Sequence, residues 1–75
     1  MQEIKKHIHV SKTGYNLCRL LDDRNISVKD IANSLNISQV AVYKWLSGTS
    51  LPTLEHFFQI SQILNIPIDE IIVVA

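Results

Sequence analysis

Apolar residues recur along this chain in short clusters at helical spacing, separated by polar stretches. Leu17, Leu20 and Leu21 stand at i, i+3 and i+4, which predicts a first helix capped by Ser11 or Thr13 and reaching about Arg24. Ile31, Ala32 and Leu35 give the inward stripe of a second helix opened by Ser27. Asp30, three residues after Ser27, has the spacing of a capping box. Val42, Trp45 and Leu46 face inward on a third helix, capped by Ser38 and closed by Gly48. Pro52 pushes Leu51 out of the helical region, so 48–52 reads as a turn. Thr53 then caps a fourth helix with Leu54, Phe57, Ile60, Ser61 and Leu64 inward. Pro67 suits the first turn of a short fifth helix through about Ile71.

The period changes at both ends. His7-Ile8-His9-Val10 alternates as a strand does, and Ile71 to Ala75 is β-branched and apolar. The expectation is an all-α, five-helix domain over 11–75 behind a lead-in of 1–10. Short terminal strands would pair 7–10 with 71–75.

Three copies of Asn-Ile punctuate this pattern: Asn25-Ile26-Ser27, Asn36-Ile37-Ser38 and Asn65-Ile66-Pro67. After Gly, Asn best tolerates the left-handed conformation that ends a helix. The following Ile folds back on the last turn, and Ser caps the next helix. Between the first two copies there is room for one short helix, and 38–47 can form another. Two short helices joined by a tight turn make a helix-turn-helix, whose usual task is reading DNA.

Composition narrows the class. Seventy-five residues make one small domain. An apolar fraction of 47% with two Gly and two Pro suits a helical globule. No apolar run approaches the roughly 20 residues of a membrane span, and Lys5 and Lys6 are followed by no apolar signal segment. A cytoplasmic location without membrane association is expected. Charge complicates a nucleic-acid reading, because seven Lys and Arg balance seven Asp and Glu. Phosphate neutralisation supplies most non-specific affinity for DNA. The case therefore rests on the motif, with Lys29 and Lys44 on or near the candidate surface and Asp30, Glu55, Asp69 and Glu70 mostly off it.

From about Leu17 to Ile72 the chain resembles the lambda-repressor-like DNA-binding family, of Cro/repressor or xenobiotic-response-element type. The resemblance is carried by Ser27-Val28-Lys29-Asp30-Ile31-Ala32, Leu35-Asn36-Ile37-Ser38, Val42-Tyr43-Lys44-Trp45-Leu46-Ser47-Gly48, Leu51-Pro52-Thr53-Leu54 and Leu64-Asn65-Ile66-Pro67-Ile68-Asp69-Glu70-Ile71, all in order. It implies a sequence-specific transcriptional regulator, a repressor of bacteria or their mobile elements, binding double-stranded DNA as a homodimer. Helix 38–47 would lie in the major groove. Gln39, Val40 and Ala41 match the family's first reading positions, and Tyr43 and Lys44 the next outward turn. Gln can bond adenine, Lys guanine, and Val or Ala can meet a thymine methyl. Ser47, Thr49 and Ser50 match the loop that touches phosphate, and Ser27 to Lys29 and Ser38 open helices whose N–H groups suit phosphate.

The departures are specific. Many relatives have Gly where Asn25, Asn36 and Asn65 stand, and a phosphate-binding Gln in place of Val28. Many pair an Arg near the end of the first helix with a Glu late in the third; here those sites are Leu21 and Leu46, an apolar contact in place of an ion pair. The turn after Gly48 lacks the usual Lys or Arg. These losses imply weak phosphate affinity per monomer and a need for a dimer.

Blander roles compete with these. Gln39, Tyr43 and Lys44 could form a solvated helix face, though the surrounding motif favours DNA. Trp45, Phe57 and Phe58 read as core rather than base-stacking residues, and Cys18 as a small packing residue. His7, His9 and His56 read as surface residues, since no Cys or carboxylate completes a metal set. The two Asn-Ile-Ser sequons carry no weight without a signal peptide. No nucleophile–base pair or phosphate-cradling glycine loop suggests an enzyme. No cofactor, metal or small-molecule ligand is expected. The rival function is a protein-interaction module, antirepressor- or antitoxin-like, on the same fold with weak DNA affinity.

Overall fold

The computed structural model describes residues 6–75. Four α-helices follow one another: α1 (Val10–Asp23), α2 (Val28–Leu35), α3 (Gln39–Leu46) and α4 (Leu54–Leu64), and a 3-10 turn, Ile68–Glu70, comes after them. Each helix contributes one stripe to a shared core. Leu17, Leu20 and Leu21 of α1 meet Ile31, Ala32 and Leu35 of α2, Val42 and Trp45 of α3, and Phe57, Ile60 and Leu64 of α4, with Ile71 sealing one end. Trp45 is buried, its ring centroid 5.5 Å from that of His56.

The three Asn-Ile copies end their helices by one device. Asn25, Asn36 and Asn65 have φ of 55°, 56° and 55°. In each, the next Ile N–H reaches back five residues: Ile26 to the Leu21 carbonyl (2.9 Å), Ile37 to Ala32 (3.0 Å) and Ile66 to Ser61 (3.1 Å). The Asn N–H closes the inner bond, to Asp22, Asn33 and Gln62 respectively. This double closure satisfies carbonyls that a helix end would leave open and turns the Ile inward.

Several expectations need correction. Among the described residues there are four α-helices rather than five, since 67–71 yields only the 3-10 turn. Asn16 of α1 explains this: its Nδ2 donates to the carbonyls of Glu70 (2.8 Å) and Ile71 (3.0 Å), drawing the chain against α1 before a helix can extend. Nor do the described residues form strands. Ile8 and Val74 make one antiparallel bridge, flanked by His9 N–H to the Val73 carbonyl (2.7 Å) and Ala75 N–H to His7 (2.9 Å). Val10 already belongs to α1, and Ile71 is committed to the core, so no longer ladder fits.

α1 also starts earlier than predicted. His9, not Ser11 or Thr13, is its N-cap, with Nδ1 accepting from the Lys12 N–H at 3.2 Å. Thr13 is buried and its Oγ1 accepts from the Val73 N–H at 2.9 Å. Three residues assigned to packing lie outside it. Leu54 is 79% exposed because side chains tilt toward the helix N-terminus, and the first residue of α4 overhangs its end. Phe58 and Cys18 each follow a core residue, about 100° round the helix from the buried stripe, and both are exposed. No helix among the described residues is long and apolar enough to cross a membrane.

Candidate nucleic-acid interface

α3 is fixed from behind. Val42 is fully buried and Trp45 nearly so, which leaves the opposite face to solvent. On that face stand Gln39, Val40, Tyr43 and Lys44, all exposed, with Ala41 half-buried beside them. Val40 is 62% and Tyr43 56% exposed, so an aliphatic and an aromatic side chain flank two polar ones. Four of the five predicted reading residues thus share one exposed face, and Ala41 lies at its edge, between Lys44 and the buried Trp45.

Ser38 opens α3 by accepting the Ala41 N–H on its Oγ at 3.2 Å. The N–H groups of the two residues before Ala41 have no partner within a helix at this position and point away from its start. Ser27 does the same for α2, within a complete capping box: its Oγ accepts from the Asp30 N–H, and its own N–H donates to Asp30 Oδ2, both at 3.1 Å. Those bonds with Ser27, the backbone one foremost and aided by the Lys29 charge, hold the Asp30 carboxyl below its ordinary 3.8. A carboxylate thus occupies the α2 N-terminus where phosphate was expected. Lys29 stands exposed next to it, so this end of the surface is a charge pair rather than a cationic spot.

The turn after α3 is tightly tied. The Lys44 carbonyl accepts from Thr49 N–H (2.9 Å), Ser50 N–H (3.2 Å) and Ser47 Oγ (3.2 Å), and Ser47 and Thr49 share a hydroxyl bond of 2.8 Å. Gly48 makes this possible with φ +76°. Ser47, Thr49 and Ser50 are thereby brought together at the end of α3. Leu21 and Leu46 border one cleft with Cys18 and Val28, so the sites of the family's ion pair are apolar here. Two features escaped the sequence reading. Asp30 is grouped with acidic residues mostly off the surface, although its own capping-box spacing puts it at the α2 end. The packing of the α1 start against Gly48 had no local signal.

No group of three or more His, Cys, Asp and Glu among the described residues is placed to hold a metal ion. His7 and His9 instead serve the terminal bridge through their backbones.

Comparison with solved structures finds the same architecture. The restriction-modification controller protein C.AhdI from Aeromonas hydrophila superposes with a TM-score of 0.75 at 19% identity, over 83% of this chain and 94% of that one. A transcriptional regulator from Listeria innocua gives 0.76 at 25% identity, over 92% of this chain but 60% of that one. The DNA-binding domain of BldD gives 0.72 at 13%, covering 87% and 94%. A comparison with curated protein sequences finds no match. Residues 18–71, from the third turn of α1 to the buried Ile71, match the family described as Helix-turn-helix. The chain belongs to that family, in its XRE or lambda-repressor-like branch.

Proposed function

We propose that this chain is a sequence-specific DNA-binding transcriptional regulator, acting as a repressor, that lays α3 in the major groove. The observation that carries this reading is the outward face of α3, where exposed Val40 and Tyr43 accompany Gln39 and Lys44. A merely solvated face has no use for two large apolar surfaces; a groove edge offers them thymine methyls, while Gln39 and Lys44 suit adenine and guanine. Ala41 lies close enough to the face to add a methyl contact. Ser47, Thr49 and Ser50, with Ser38, Ser27 and Lys29, contact phosphate on either side. The carboxylate of Asp30 weakens the α2 end of that track.

A homodimer completes the site, with half-sites about one helical turn (~34 Å) apart. The structurally similar proteins, a controller protein, a transcriptional regulator and a DNA-binding domain, support the same assignment.

The rival is an interaction module of antirepressor or antitoxin type. Its support is the zero net charge and the exposed pair Leu54 and Phe58, one turn apart on α4. Titration of double-stranded DNA at rising salt separates the two. Phosphate contacts make log affinity fall linearly with log salt. A steep fall supports the regulator, and feeble binding insensitive to salt supports the module.

A further inference from the structure

The turn that follows the reading helix carries three hydroxyl side chains and no cation. What packs against it is the start of α1. A Cβ placed on Gly48 would stand 2.8 Å from Ser11 Cα and 2.9 Å from Ser11 Cβ, so the two backbones are in direct contact. His7 to Ser11 and Gly48 line a common shallow cleft of about 330 Å³. Lys12 follows Ser11 directly, and both Lys12 and Lys6 are exposed.

The neutral total conceals an uneven division of charge. Residues 1–12 hold three lysines, Lys5, Lys6 and Lys12, against one carboxylate, Glu3, a balance of +2. The remaining 63 residues hold four cations and six carboxylates, a balance of −2. On α1 itself the first carboxylate is Asp22, ten residues beyond Lys12 and about 15 Å along the helix. The 3-10 turn bearing Asp69 and Glu70 is held at Asn16, one helical turn beyond Lys12 on the same face of α1, so these are the carboxylates nearest that lysine along the helix.

We propose that Lys6 and Lys12 form the cationic part of the phosphate-binding edge whose hydroxyl part is Ser47, Thr49 and Ser50. The contact between Ser11 and Gly48 brings the start of α1, with Lys12 after it and Lys6 before His7, to the side of the turn, so one DNA strand meets both. Cations distant in sequence thus replace the Lys or Arg that the turn itself lacks. The ligand is the backbone of double-stranded DNA flanking the bases read by α3, and the contact adds affinity without sequence preference. This inference rests on the regulator reading.

The test compares the full chain with the Lys6→Gln/Lys12→Gln variant and, as control, Arg19→Gln. Arg19 sits on the same helix, but binds Asp23 and Asn16, toward the other end of α1. Affinity for a selected duplex and a scrambled one is measured from 50 to 200 mM salt, with melting curves to verify folding. The double variant is expected to flatten the log–log slope by about 1.8, or ~0.9 for each lost phosphate contact, equally on both duplexes. Arg19→Gln is expected to leave the slope in place. A steep wild-type slope that the double variant leaves unchanged overturns this inference alone. Equal flattening by Arg19→Gln also overturns it, by showing only a diffuse effect of net charge. Absence of DNA binding by the wild type removes the regulator reading and this inference together.

Discussion

Gly14 of α1 lies so close to the backbone of α3 that a Cβ there would collide with the Trp45 carbonyl oxygen and stand 3.1 Å from that of Leu46. The start of α1 and the end of α3 are therefore held by a backbone-to-backbone contact, beside the buried Leu17 and Trp45. Gly14→Ala should push the helices apart and cost about 1–3 kcal/mol, the usual range for overpacking a tight site. Urea denaturation checks this. An unchanged midpoint would mean that the crossing tolerates a methyl group and does not set the position of α3.

The terminal clasp is the second target. Thr13 Oγ1 accepts from the Val73 N–H at 2.9 Å, joining α1 to a residue 60 positions away. Thr13→Val keeps the shape of the side chain and strands that N–H. A loss of about 1–3 kcal/mol is expected, as for any half-buried donor left without a partner. Thermal denaturation reads it directly, and stability equal to the parent would show that the tail does not fasten the domain.

Asn36 joins the two helices of the motif in the left-handed region, with φ 56°. Asn36→Ala should lower stability by roughly 1 kcal/mol, since alanine pays the steric cost of that conformation, whereas Asn36→Gly should not. Equal stability of the two variants in guanidinium melts would contradict a role for left-handed tolerance.

These positions also mark what the chain disclosed before its structure. Helix ends were legible because they rest on local chemistry: Asn for the left-handed residue, Ile for the fold-back, and Ser27, Ser38 and Thr53 for the caps. The outward face of α3 was legible because burying Val42 and Trp45 forces Tyr43 and Lys44 out. Both chain ends were less so. Whether 67–71 becomes a helix depends on Asn16, 54 residues away from Glu70, and no local pattern contains that bond. The cap at His9 similarly depends on Val73 fixing the chain before α1. Leu54, Phe58 and Cys18 are apolar yet exposed, because angle round the helix and position along it, rather than apolar character, decide what is buried.

Acid tests the capping box. The Asp30 carboxyl is held below its ordinary value, foremost by the Ser27 backbone N–H. A lowered folded-state value means that its stabilisation is complete above about 3.8 and disappears as pH falls through the lowered one. Asp30→Asn should therefore flatten the stability–pH curve below about pH 4. The same variant removes a negative charge from the proposed phosphate track, so at neutral pH and low salt its DNA affinity should rise on every sequence. An unaltered acid limb would show that the pairing with Ser27 contributes nothing to folding.

The central claim, that the outward face of α3 reads base edges, is tested most directly by fluorescence anisotropy. The labelled duplex comes from upstream of the protein's own gene and is compared with a scrambled one. The account predicts tight binding to the first alone, with Gln39→Ala losing about 1–3 kcal/mol of that preference while remaining folded. Equal, weak binding to both duplexes, unaffected by Gln39→Ala, would contradict it.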